Sequence, residues 1–159
     1  MSDLLFIPAV LLGVGAIWGL VFLMVQARLR AAARARPIVD GTSVTIPLVA
    51  AFAGFRGTPW LACAHNSLSP RLKLDADHVE VKVIRKRRRP YRLIQQVDYR
   101  TGIGTRNVIL AFSDSLLSFR GNTASESLAR EAIRLLRARG CPLSPRAQAL
   151  LEAASSASP

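Results

Sequence analysis

The chain has 159 residues and carries 22 Lys and Arg against 10 Asp and Glu, a net charge of +12. That length leaves room for one small folded core beside an accessory segment, and the charge points to phosphate- or carboxylate-rich partners rather than cationic ones. The two cysteines, Cys63 and Cys141, lack metal-ligand spacing and read as small apolar residues.

The chain opens with Leu4 to Val25, a run without a charged side chain. At ~1.5 Å per residue a helix of this length reaches across the ~30 Å hydrocarbon core, so the expectation is a single transmembrane helix. Met1-Ser2-Asp3 has no basic side chain and the apolar run exceeds the core of a signal peptide, which favours a retained anchor over a cleaved leader. Arg28, Arg30, Arg34 and Arg36 follow the run and no Lys or Arg precedes it. The positive-inside rule then places the N-terminus outside and the following domain in the cytoplasm, at the inner or plasma membrane. The four arginines are expected juxtamembrane lipid contacts on a helix prolonged through Gln26–Arg36, which Pro37 ends. Gly15 and Gly19 form a G-x-x-x-G, the spacing of a packing face between membrane helices, and so suggest a homodimer.

Asp40-Gly41 is a turn signal. Val44–Phe55 is apolar but too short to span; it either enters the core or lies on the bilayer. Trp60–Ala64 is a candidate strand. Leu72 and Leu74 alternate with Arg71 and Lys73, and Val79, Val81 and Val83 with Glu80 and Lys82, predicting a hairpin around Asp75–His78. Arg85–Pro90 (RKRRRP) reads as an exposed basic loop. Ile94, Val97 and Tyr99 mark a strand with an irregularity at Gln95-Gln96. A turn at Gly102 and Gly104 precedes a hairpin of Val108–Phe112 and Leu116–Phe119. Thr123-Ala124-Ser125-Glu126 fits a capping box for an amphipathic helix buried through Leu128, Ala129, Ala132, Ile133 and Leu136. Gly140 is placed to end it, Ser144-Pro145 to start a last short helix, and Ala153–Pro159 to form a disordered tail. The domain organisation read from this is 1–25 anchor, 26–43 basic helix and linker, 44–140 folded domain, and 141–159 short helix and tail.

Several of these segments, in this order, resemble a bacterial pleckstrin-homology-like domain. They are Arg71-Leu72-Lys73-Leu74, Val79-Glu80-Val81, Pro90-Tyr91-Arg92-Leu93-Ile94-Gln95-Gln96-Val97, the Val108–Phe112 and Leu116–Phe119 pair, and the helix Ala124–Arg139. The resemblance implies a mainly-β α+β domain, an antiparallel barrel or bent sandwich with a C-terminal capping helix. It implies accessory or scaffold roles at membranes and no particular activity. Its lipid-binding relatives use basic residues of the first hairpin. Here the basic run comes later, so phosphoinositide recognition is not carried over.

The strongest chemical feature is the run holding Lys82, Arg85, Lys86, Arg87, Arg88, Arg89 and Arg92, an expected contact with anionic headgroups or an acidic protein partner. Asp75-x-Asp77 reads as a turn rather than a metal site, and His65 and His78 lack ligand spacing. No nucleophile–base pair, nucleotide-binding fingerprint or cofactor motif is present, and too few aromatics accompany the cations to favour nucleic acid. The expectation is a non-enzymatic membrane-anchored protein presenting a basic domain to a protein partner or anionic membrane. The alternative is a subunit that joins a larger membrane complex through its helix.

Overall fold

In the computed structural model the described residues are 3–55, 62–66, 68–102 and 104–155. The chain divides into two compact units, Met1–Ala31 and Ala32–Pro159. The first belongs to α1 (Asp3–Arg34), which ends three residues before Pro37. Its described side chains include exposed Ile17, Trp18, Leu20 and Phe22. Among the described residues, no helix is long and apolar enough to cross a membrane. On α1 the stretch of described side chains before the arginines is 13–27. This falls short of the about 20 apolar residues a span requires. The expected transmembrane helix, the single-pass membrane description and the integral location with an outside N-terminus are corrected accordingly.

The second unit is an α+β fold with two separate five-stranded antiparallel sheets, which replaces the expected combination of a spanning helix with a barrel or bent sandwich. The first sheet has the order β1-β2-β5-β6-β7, from β1 (Ile38–Asp40), β2 (Ser43–Ile46), β5 (Arg71–Leu74), β6 (His78–Lys82) and β7 (Lys86–Pro90). The second has the order β4-β3-β10-β9-β8, from β3 (Ala50–Phe55), β4 (Ala62–Asn66), β8 (Ile94–Gly102), β9 (Thr105–Phe112) and β10 (Leu117–Asn122). The apolar run Val44–Phe55 is thus divided. Pro47 cannot donate to a ladder, and after it the chain leaves the first sheet for the second.

β5 and β6 form the alternation-predicted hairpin, with Leu72 opposite Val81 and Leu74 opposite Val79. These side chains turn inward and are fully or almost fully buried, each contributing ~1.5–3 kcal/mol of burial. With Ile46 they join Val97, Val108, Leu110, Phe112 and Phe119 of the second sheet in one hydrophobic cluster. The irregularity in β8 falls between Ile94 and Gln96, where the register with β9 shifts.

α2 (Glu126–Ala138) closes the core with Leu128, Ala129, Ala132, Ile133 and Leu136. Its N-cap is Ser125, whose side chain accepts from the Leu128 N–H, rather than Thr123. Thr123 is instead buried, its hydroxyl donating to the carbonyls of Arg106 and Ser125. Gly140 takes a φ of +78° and ends the helix. The chain then returns to the sheet. Val97 N–H donates to Pro142 O and Ser144 N–H to Val97 O, both at 2.8 Å, so Pro142–Ser144 lies along the outer side of β8. Ser144 also accepts from Ala147 N–H at the start of α3 (Pro145–Ser155). Of the tail expected over Ala153–Pro159, residues 153–155 instead continue α3, and the rest, like Trp60 and Leu61 of the expected strand before β4, lie outside the described residues.

Candidate functional site

The basic run is not a loop. Lys86–Pro90 forms β7, at the edge of the first sheet, paired with β6 from Lys82↔Lys86 to His78↔Pro90. Unpaired charge on an edge strand discourages further strand addition, which suits this sequence to that position. The pleat sends alternate side chains to opposite faces and sorts the arginines into two rows.

On the outer face Arg88 lies opposite Glu80, whose side chain is 4% exposed. Arg88 Nε donates to Glu80 Oε2 at 3.1 Å, and Arg71 and Lys86 approach Oε1 at 3.9 Å. One buried carboxylate therefore gathers three cations and offsets part of this row. Lys82 Nζ donates to Ser69 Oγ at 2.7 Å.

On the inner face, Arg85, Arg87 and Arg89 line a cleft of about 430 Å³ between the sheets. Its apolar wall comes from Ala53, Ala64, Val81, Val83, Phe112 and Phe119. The space exists because small side chains stand where large ones would fill it: Ala53 pairs with Ala64 on one side and with Phe119 on the other. Sheets packed about 10 Å apart need bulk from both faces, and two adjacent alanines leave the gap open. Arg89 is committed. It is ion-paired to Asp114, and its guanidinium lies 4.6 Å from the Phe112 ring centroid. Arg85 and Arg87 are exposed, and among the described residues no acid pairs with either.

Ile84 lines the same cleft and is 69% exposed. Leu116, 76% exposed, lies between the lining residues Ser115 and Leu117. Exposed Phe55 pairs with Leu117. The mouth thus combines two free guanidinium groups with an apolar rim.

The structure divides the expected anionic contact residues. Arg85 and Arg87 stand at the mouth, with Lys82 and Lys86 at the same end of the hairpin. Arg88 sits over Glu80 and Arg89 lies inside the cleft. Arg92 is exposed in the 3-10 turn Tyr91–Leu93, beyond the opposite end of β7. Arg30 and Arg34 are exposed on α1 and Arg36 follows it; the Arg28 side chain lies outside the described residues. Gly15 and Gly19 are exposed on α1 with open space where a Cβ would stand.

Asp98 and His65 do not join the acidic and histidine residues of the β5–β6 turn. His78 lies between Asp77 (Nδ1 to Oδ1, 2.6 Å) and Asp75 (Nε2 to Oδ2, 2.9 Å) in the β5–β6 turn. The His78 hydrogen bond holds the Asp77 carboxyl below its ordinary range. Asp98 instead accepts from Ser144 Oγ at 2.6 Å, and His65 packs against Phe52. Among the described residues, no group of three or more His, Cys, Asp or Glu could hold a metal ion. The Cys63 side chain lies outside the described residues; Cys141 is buried and free.

Sequence reasoning missed the cleft, whose signal was the match of alternating Arg85, Arg87 and Arg89 to the Val79–Val81 face of the neighbouring strand. Compared with protein-family models and with curated proteins, the chain matches none.

Proposed function

We propose that the second unit is a non-enzymatic binding domain that contacts anionic lipid headgroups through the mouth of its cleft. This is a surface contact and uses no membrane-crossing helix. The observation that carries it is the juxtaposition of Arg85 and Arg87, which no described acid pairs, with exposed Ile84 in the cleft lining, beside exposed Leu116, which is flanked in sequence by the lining residues Ser115 and Leu117. Arginines near an anionic lipid surface contribute ~1 kcal/mol each, and apolar side chains beside them gain by leaving water for the headgroup boundary. A nucleic acid would engage the arginines and leave Ile84 and Leu116 in water. The resemblance to pleckstrin-homology-like domains also favours binding over catalysis.

The test places the readout at the mouth, because exposed apolar side chains of α1 would also gain by leaving water for lipid and would mask binding measured on the whole chain. A nitroxide at Leu116→Cys, in a Cys63→Ser background, reports collision with oxygen. Accessibility should rise on phosphatidylglycerol-containing vesicles, fall back at high salt, and stay unchanged on phosphatidylcholine alone. No change on anionic vesicles overturns the reading, and an acidic protein surface becomes the occupant to pursue.

A further inference from the structure

We infer that the cleft behind this mouth takes the alkyl chain of a single-chain anionic amphiphile, a fatty acid or alkyl phosphate, with its head on Arg85 and Arg87. The inference deepens the surface reading at the same site, since an anionic lipid surface is where such a molecule is encountered.

Three observations converge on it. The volume of about 430 Å³ falls within the ~300–1,000 Å³ of small-molecule pockets, which are mostly apolar with a few placed polar groups. The interior has little for a polar ligand to satisfy: Ala53, Ala64, Val81, Val83 and Phe119 offer no side-chain donor or acceptor. Ser118, which also lines the cleft, already donates its hydroxyl to Gly54 O at 3.0 Å. The charge is at the entrance. Arg89 is neutralised by Asp114, so among the described residues lining the cleft the positive charge left to a ligand belongs to Arg85 and Arg87. Guanidinium groups recognise carboxylate and phosphate through paired N–H donors. An apolar interior with a cationic entrance matches a molecule that is an alkyl chain at one end and an anion at the other. Neither a sugar phosphate nor a neutral hydrocarbon satisfies both parts.

Calorimetric titration of the full chain tests this with dodecanoate and dodecyl phosphate below micellar concentration. Dodecanol supplies the chain without charge and inorganic phosphate the charge without chain. The two amphiphiles should each saturate one site per chain, with dodecanol weaker and phosphate giving no heat of binding. The double variant Arg85→Gln/Arg87→Gln, at exposed positions, should weaken that site about tenfold or more. Ala53→Phe should abolish it by filling the gap; should that variant fail to fold, Ala53→Leu and Ala64→Val should each weaken it. Dodecanoate binding that is unchanged in the arginine double variant and in the folded cleft-filling variants overturns the inference and assigns the heat to another surface, such as α1.

The nitroxide at Leu116→Cys separates this outcome from the surface reading. Docking on anionic vesicles with no saturable dodecanoate site removes the inference alone. A saturable site sensitive to Arg85 and Ala53, without docking, removes the surface reading alone.

Discussion

Glu80 and Arg88 face each other across β6 and β7, with the Arg88 guanidinium donating to the Glu80 carboxylate at 3.1 Å. Glu80 is the buried member, and Arg71 and Lys86 crowd the same carboxylate. Removing its charge would leave Arg71 of β5 and Lys86 and Arg88 of β7 gathered around β6 without the carboxylate that offsets them. Glu80→Gln should therefore destabilise the fold by ~1–3 kcal/mol, less than for a wholly buried pair because the partners are well exposed. Urea unfolding should show a lower midpoint with an unchanged slope.

The two rows of cations along β7 and the bend before it differ in what they offer a partner. Arg88 already spends its charge on Glu80, whereas Arg85 and Arg87 do not. Replacing Arg85 or Arg87 by Gln should weaken anionic-vesicle binding at the Leu116 probe about fivefold each, corresponding to ~1 kcal/mol. Arg88→Gln should weaken it less. Equal losses at all three positions would mean that the whole strand acts as undifferentiated charge.

Ser125 is the hydroxyl that caps α2, accepting from Leu128 N–H at 3.2 Å. Ser125→Ala should cost about 1 kcal/mol and Ser125→Asp should cost little, because Asp also accepts at an N-cap and suits the helix dipole. Thermal unfolding of the two variants side by side gives the comparison.

Alkaline pH should loosen the C-terminal part of the domain. Burial pushes the Cys141 thiol up from its ordinary 9.0 to about 11, partly opposed by Arg139. Burial likewise pushes Tyr91 from 10.0 to about 12, against the opposing effect of Arg139, whose guanidinium donates to the Tyr91 hydroxyl. In both cases the native state keeps a proton that the unfolded chain releases first. Their contribution is fully present below pH 9.0 for Cys141 and 10.0 for Tyr91, and is lost as pH rises through about 11 and about 12 respectively. Urea midpoints measured across this range should fall, and Cys141→Ala should make the early part of the fall shallower.

Local signals were legible in the sequence. The β5–β6 hairpin, the irregularity at Gln95-Gln96 and the helix stop at Gly140 each rest on a few neighbouring residues, and each is where the pattern put it. The cap of α2 shifted by two residues because Thr123 found better partners across the chain, at Arg106 O. β7 was hidden because five polar or cyclic residues in a row carry no apolar alternation. It becomes a strand through its partner, and Glu80 is where that pairing gains its ion contacts. The split of Val44–Phe55 between two sheets, and the cleft left by Ala53 beside Ala64, are long-range outcomes that no single window contains. The apolar length of Leu4–Val25 gave the strongest sequence signal and the expectation that needed correcting.

The segment Pro142–Ser144 has a consequence for self-association. β8 is the last strand of its sheet, and an open strand at that position invites the same strand of another molecule to continue the ladder. The hydrogen bonds of Val97 with Pro142 and Ser144 occupy part of that ladder from within the chain. α3 and the segment before it therefore act as a stop against sheet growth as well as a cover for the core. Truncation after Cys141 should yield a chain that elutes as concentration-dependent oligomers in size-exclusion chromatography, while the full chain shows no such growth through β8.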